Sequence, residues 1–223
     1  LRALAFMVAA WTTEAPAQAP GQANIPSKEA LGAELYFDVD LSKNRTQACA
    51  SCHDPGAGFV DPRPNASGRA VSTGDDGRSL GDRNAPTAAY SRFSPTFGPS
   101  PLKPGVMRGG QFHDGRAADL AGQAAGPPLN PIEMGLKDEA EAVARLKEKA
   151  AYVEAFDRFF GAGTLDDPKR GYRAMAEAIA AFEATPLFAP FDSKYDRFLK
   201  GEATLTEEEE LGRVLFFSKQ FTN

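Results

Sequence analysis

The stretch Arg45–Phe59, "RTQACASCHDPGAGF", holds both cysteines of the chain and one of its two histidines. Its centre, Cys49-Ala-Ser-Cys52-His53, is a C-x-x-C-H motif, the attachment signature of c-type haem. The chemistry requires this spacing. Two thioethers anchor the two vinyl groups on one edge of a porphyrin, and a helical turn then brings the next residue, His53, over the iron as the proximal ligand. Other readings compete. A Cys49–Cys52 disulfide makes a redox motif, but no βαβ pattern surrounds it. A zinc site needs more ligands, and only His113 remains to supply one. Chance occurrence is the last alternative.

Outward from the motif, the residues before it read as a helix capped by Ser27, with Leu31, Leu35 and Tyr36 at helical spacing. The residues after it, from Asp54 to Gly110, show little helical periodicity and are rich in Gly, Pro, Asn and Ser. A loop region of that length is unusual in a compact domain unless it is functional or wraps something. A flat cofactor with large apolar faces gives such segments a core, and Phe59, Val71, Tyr90, Phe93 and Phe97 are candidate walls of its site; each could equally be plain core. Helices return at "DGRAADLAGQAA" (Asp114–Ala125), Asp138–Lys149, Ala151–Phe160 and the segment after Asp167, which is read as an N-cap with Pro168 at the first helical position. No alternating strand run exceeds a few residues. The fold class is all-α, a haem domain with long loops.

The whole chain sets the bounds. It has 223 residues, 42% hydrophobic and 25% charged, enough to bury one or two cores. A formal net charge of −5 argues against nucleic acid as a partner. Arg2 precedes a short apolar stretch, Ala3–Trp11, too short to span a bilayer, and a small-residue run at Ala15, Ala17 and Ala19 follows. Residues 1–24 are therefore expected to be a signal-peptide remnant and linker, with no stable membrane anchor after cleavage. The expected location is periplasmic, and export supports the haem reading, because c-type haem is attached outside the cytoplasm. At the other end, Thr206 and Glu209 form a capping box, and Leu211, Val214, Leu215, Phe216 and Phe217 follow as apolar residues in need of a partner surface. This end is expected to be the cut start of a second unit.

Four segments, "ACASCHDPGAGFVDPR", "VSTGDDGRSLGDRNAPT", "GGQFHDGRAADLAGQAAGPPLNPIEMG" and "FAPFDSKYDRFLKGE", resemble in order and spacing the N-terminal half of the di-haem peroxidase family, which holds bacterial cytochrome c peroxidases and the methylamine-utilisation protein MauG. The resemblance runs from about Ala30 to the end. It implies two cytochrome-c-like α-helical domains, one haem each, with a calcium ion between them. Residues 25–185 would be the first, peroxidatic domain and 186–223 the truncated start of the second, with the second haem motif just past Asn223.

The resemblance also implies roles. Glu133 in "NPIEMG" matches the distal acid, which takes a proton from one peroxide oxygen and hands it to the leaving oxygen; burial beside a haem face would raise its pKa. The alternative is a surface glutamate. Gln123 and Pro127 match pocket positions. Asn84 in "GDRNAPT" matches a side-chain calcium ligand, its oxygen suited to a hard cation; the alternative is a loop-capping residue. Peroxidase members carry a histidine in the loop after the haem motif that blocks the iron at rest. Here "VSTGDD" has Asp75 instead, expected to stay in a solvated turn and resembling the MauG branch. His113 in "QFHDGRA" stands where the family usually has Trp. A structural hydrogen bond, to a haem propionate or a water, is the favoured role, and iron ligation the alternative. The implied activity is peroxide reduction, with electrons from the second haem and a donor cytochrome or cupredoxin. The alternatives are MauG-like oxidation of residues on a partner protein and, outside enzymes, a c-type electron carrier.

Overall fold

The computed structural model describes residues 24–218. The expected leader lies outside them apart from Asn24. The described residues are mostly helical. Helix α1 (Lys28–Tyr36) starts where Ser27 Oγ accepts the Ala30 N–H at 3.1 Å, the capping geometry that satisfies an orphan donor of the first turn. It buries Leu31, Leu35 and Tyr36, the three residues whose spacing announced it. Helix α2 (Cys49–Cys52) is a single turn. Helix α3 (Leu120–Ala124) is followed by α4 (Glu139–Lys147), α5 (Ala150–Phe160) and α6 (Pro168–Glu183). Asp167 caps α6 by accepting the Arg170 N–H at 2.7 Å, with Pro168 leading the helix. The short α7 (Lys194–Leu199) and α8 (Glu207–Phe217) come last.

The core is the crossing of α1 over α6. Tyr36, Leu31 and Leu35 from α1 meet Met175, Ile179 and Phe182 from α6, with Phe156, Leu146 and Phe188 closing the sides. The two backbones touch at Gly32. A Cβ there would lie 1.9 Å from the Ala178 carbonyl oxygen and 2.9 Å from the Phe182 Cβ. Only glycine admits that approach.

Long loops carry the rest. Between α2 and α3 the chain forms short 3₁₀ turns and one two-stranded antiparallel ribbon, β1 (Gly98–Pro99) with β2 (Met107–Arg108). The helix expected over Asp114–Ala125 is confined to its second half. Asp119 caps it through the Gly122 N–H at 2.8 Å, and the preceding residues instead pair back through an Asp114–Arg116 ion pair and a Gln111–Ala117 bridge.

Asp75 does not sit in a solvated turn. It is buried, and its carboxylate accepts Ser42 Oγ at 2.7 Å, Thr46 Oγ1 at 2.7 Å and the Asn44 N–H at 2.7 Å. Burial pushes its pKa up, but these hydrogen bonds outweigh that and hold it below the ordinary value. Its own N–H donates to the Glu133 carbonyl at 2.7 Å. Asp75 therefore ties the loop before Cys49 to the turn that carries Glu133. The expected cofactor walls also need correction. Phe59 is core, stacked on Phe188 at 4.2 Å, while Tyr90, Phe93 and Phe97 are exposed. On α8 the apolar residues Leu211, Val214, Leu215, Phe216 and Phe217 are all exposed, and Phe217 stacks on Tyr195.

Gly32→Ala is expected to destabilise the chain by about 3 kcal/mol, because the added methyl meets backbone rather than a movable side chain. Denaturant unfolding of the variant checks this; an unchanged midpoint would contradict the close crossing.

Candidate functional site

A cavity of about 430 Å³ opens beside the α1–α6 crossing, within the range of cofactor sites. Its wall takes Cys49, Cys52 and His53 from α2 and its end, Gln123 and Ala124 from α3, Pro127, Asn130, Ile132, Glu133 and Met134 from the turn that follows, and Ile179 and Glu183 from α6. The loops add Asn84, His113, Asp114, Arg83 and Arg116. Val71, Tyr90, Phe93, Phe97 and the core residue Phe59 are not part of this wall.

Three contacts hold the C-x-x-C-H turn. Ser51 Oγ accepts the Ala48 N–H at 3.0 Å. The His53 N–H donates to the Cys49 carbonyl at 3.0 Å. The Tyr36 hydroxyl donates to the His53 carbonyl at 2.8 Å. The imidazole Nδ1 lies 3.2 Å from the Phe59 carbonyl, a contact that requires an Nδ1–H and leaves Nε2 as the lone-pair nitrogen. Burial pushes the His53 pKa down, against the pull of the Phe59 and Pro86 carbonyls, which favours the neutral ring that can ligate.

The cysteines are free thiols. Burial pushes the Cys49 thiol up to about 12 and the Cys52 thiol in the same direction. Cys52 Sγ is approached by Arg63 Nη2 at 3.3 Å and Gln47 Nε2 at 3.6 Å. Thiols held protonated are poor nucleophiles and poor zinc ligands. Among the described residues no group of three or more His, Cys, Asp or Glu is placed to hold a metal ion directly. Two unbridged thiols and a neutral imidazole in one cavity wall fit a covalently attached haem, with Cys49 and Cys52 as anchors and His53 as axial ligand.

Glu133 faces the same cavity. Burial pushes its carboxyl above the ordinary value, while a hydrogen bond from Asn130 Nδ2 at 2.9 Å and the charge of Arg116 pull it down. Gln123 and Pro127 stand in the wall beside it. His113 is exposed, and its Nε2 lies 2.9 Å from the Asn84 backbone carbonyl, a different partner from the propionate or water expected of it. Asn84 in turn donates through Nδ2 to the Ala70 carbonyl at 3.3 Å. Asp114 bridges Arg83 at 2.7 Å and Arg116 at 3.0 Å; Arg83 above all holds its carboxyl well below the usual range.

Several wall residues escaped the sequence reading, among them Met134, Glu183 and Arg116. Met134, adjacent to Glu133, is 2% exposed; its sequence signal was that methionine is a common second axial ligand of cytochromes. Glu183 is buried at the end of α6, four residues after Ile179 on the same face. Arg116 lies 3.6 Å from the centre of the Phe112 ring.

An all-α chain folded around a cavity with C-x-x-C-H in its wall defines the class of cytochrome-c-like haem domains. The family model described as di-haem cytochrome c peroxidase matches residues 26–204, and the chain belongs to that family, whose cofactor is c-type haem. The methylamine utilization protein MauG of Paracoccus denitrificans (strain Pd 1222) is 52% identical over 189 residues, covering 85% of this chain and 48% of that protein. The cytochrome c peroxidase Ccp of Escherichia coli (strain K12) is 39% identical over 194 residues, covering 85% of this chain and 35% of that protein. The crystal structure of the diheme peroxidase BthA from Burkholderia thailandensis E264 superposes with a TM-score of 0.78 at 35% identity, covering 86% of this chain and 46% of that one. The chain thus spans about a third to a half of the length of these relatives.

Haem-loaded protein is expected to keep its haem through denaturing electrophoresis, and the Cys49→Ala/Cys52→Ala double variant to lose it. Covalent haem on the double variant would remove both residues from the attachment.

Proposed function

We propose that this chain is the peroxide-reacting haem domain of a di-haem c-type peroxidase, exported to the periplasm. The observation that carries the reading is Glu133: a carboxyl raised by burial, in the same cavity wall as the C-x-x-C-H turn. Haem iron, when bound, supplies the electron transfer that peroxide reduction needs. The chain supplies the rest. His53 would hold the haem iron through Nε2, the nitrogen left free by the Nδ1 contact to Phe59. Glu133 takes the proton of one peroxide oxygen and returns it to the departing one, and burial, which raises its carboxyl above the ordinary value, favours its holding that proton in between. Asn130 orients that carboxyl through its 2.9 Å hydrogen bond. Gln123 and Pro127 limit the space in which peroxide and water sit.

The domain division follows the same reading. Residues 25–185 form the first haem domain, and 186–223 begin a second that carries its own haem. The exposed apolar face of α8 is in keeping with such a neighbour. A small donor cytochrome c or cupredoxin would supply the electrons, by way of the second haem. Asn84 offers one oxygen to an interdomain calcium ion, with the remaining ligands elsewhere in the protein. Among the described residues no helix is long and apolar enough to cross a membrane.

A second reading rests on its own observation. The loop after the motif carries Asp75 where a blocking histidine would stand, and that carboxylate is tied to Ser42, Asn44 and Thr46, away from the cavity. A domain with no such loop ligand can meet peroxide without prior reduction, as the MauG-like reading requires, and then oxidise residues of a partner protein.

Glu133→Gln is expected to retain covalent haem and slow the reaction with hydrogen peroxide by about 10²–10⁴-fold, the cost of a lost general acid–base. Stopped-flow absorbance measures this; a variant reacting at the parent rate would take Glu133 out of the mechanism.

A further inference from the structure

Glu183 has no role in the account above, yet it faces the same cavity. It is 6% exposed and is the last residue of α6. Among the described residues no side-chain hydrogen bond or ion pair engages its carboxyl, whose oxygens are not among the fully enclosed polar atoms and so open on the cavity it lines. Two features of its place disfavour a charge there. Burial alone pushes it up to about 8, and the negative end of the α6 dipole works in the same direction. Its ionisable neighbours are uncharged near neutral pH: Tyr36 from α1, itself raised chiefly by burial, and Cys49 from α2. Helix α3 carries no ionisable side chain, and the acidic residue of α4 that acts on α6, Glu139, acts on Tyr172. The same cavity wall also carries His53, Glu133 and the Arg83–Asp114–Arg116 cluster. A buried acid in the wall of a cofactor cavity can exchange its proton with that cavity.

We propose that Glu183 is a redox-linked proton carrier of this cavity: it takes up a proton when the bound haem is reduced and releases it on oxidation. The inference rests on the haem reading of the site. The balance is simple. One electron from an external donor converts ferric to ferrous iron, and one proton from solvent converts the Glu183 carboxylate to the acid, so the buried site gains no net charge. Peroxide reduction consumes protons together with electrons, and a proton stored beside the cofactor arrives with its electron. Glu183 then serves electron uptake, while Glu133 serves the oxygen chemistry.

The sign follows from the charges. Reduction removes positive charge from the site, so the carboxyl binds its proton more tightly in the reduced protein than in the oxidised one. Between those two affinities the reduction potential must fall as pH rises. The test is a spectroelectrochemical titration of the haem-loaded full chain at a series of pH values from 6 to about 10. The parent protein is expected to show a falling potential in a window around pH 8, where Glu183 changes charge. Glu183→Gln, equal in shape but unable to ionise, is expected to lose that fall, and Glu133→Gln to keep it. Glu183→Met, which also lacks an ionisable group, is expected to match Glu183→Gln and replaces it should the amide fail to pack. A Glu183 variant whose pH profile superimposes on the parent's, with covalent haem intact, would overturn the proposal and leave the haem reading standing. A chain that carries no covalent haem would overturn both.

Discussion

The close approach of α1 to α6 at Gly32 is the constraint on which the rest of the molecule depends. With no Cβ between the helices, α1 lies against the Ala178 carbonyl, and both helices are fixed relative to the loops. From α1, Tyr36 reaches the carbonyl of His53 and holds the end of the C-x-x-C-H turn. From α6, Ile179 and Glu183 form the cavity wall beside Cys49. One tight crossing therefore positions His53, Cys49, Cys52 and the buried Glu183 together. Aromatic contacts among Tyr36, Phe182 and Phe188, at centroid distances of 5.1–5.6 Å, fill the space that glycine leaves along the crossing.

Asp75 is the second organising contact, and it acts between loops rather than helices. Its carboxylate gathers the segment Ser42–Thr46 while its N–H holds the Glu133 carbonyl. Beside it, Gly74 lies so close to Ile132 that a Cβ would meet the Ile132 carbonyl oxygen at 2.5 Å. The loop that follows the C-x-x-C-H motif thus packs on the turn that carries Glu133. Two carboxylates two segments apart end with opposite electrostatics. Asp75 is surrounded by donors and held ionised, while Glu133 has one side-chain donor and is raised by burial.

Local signals in the sequence carried most of what could be read from it. Ser27, Asp167 with Pro168, and the Thr206–Glu209 box each act over three or four residues, and each caps the helix expected of it. The C-x-x-C-H spacing is legible because it reflects covalent chemistry rather than packing. What escaped depends on contacts between distant segments. Asp75 sits in a Gly-Asp-Asp-Gly turn, and nothing in that turn announces hydrogen bonds to residues near Ser42. Glu183 and Met134 became visible as wall residues only once α6 and the Glu133 turn were placed against α2. Phe93 and Phe97 failed as wall candidates because aromatic character alone does not say which side of a loop faces inward. The segment Asp114–Ala118 has helical composition but is captured by the Arg83–Asp114–Arg116 pairing.

The central claim is that this cavity holds a haem whose one protein ligand is His53, leaving the face toward Glu133 for peroxide. Electron paramagnetic resonance of the ferric haem-loaded chain tests it most directly. The account expects a high-spin signal from the haem attached at Cys49 and Cys52, unchanged in His113→Ala. A low-spin signal from that haem, converted to high-spin by replacing His113 or Met134, would show a second protein ligand on the iron and would contradict the account in favour of an electron carrier.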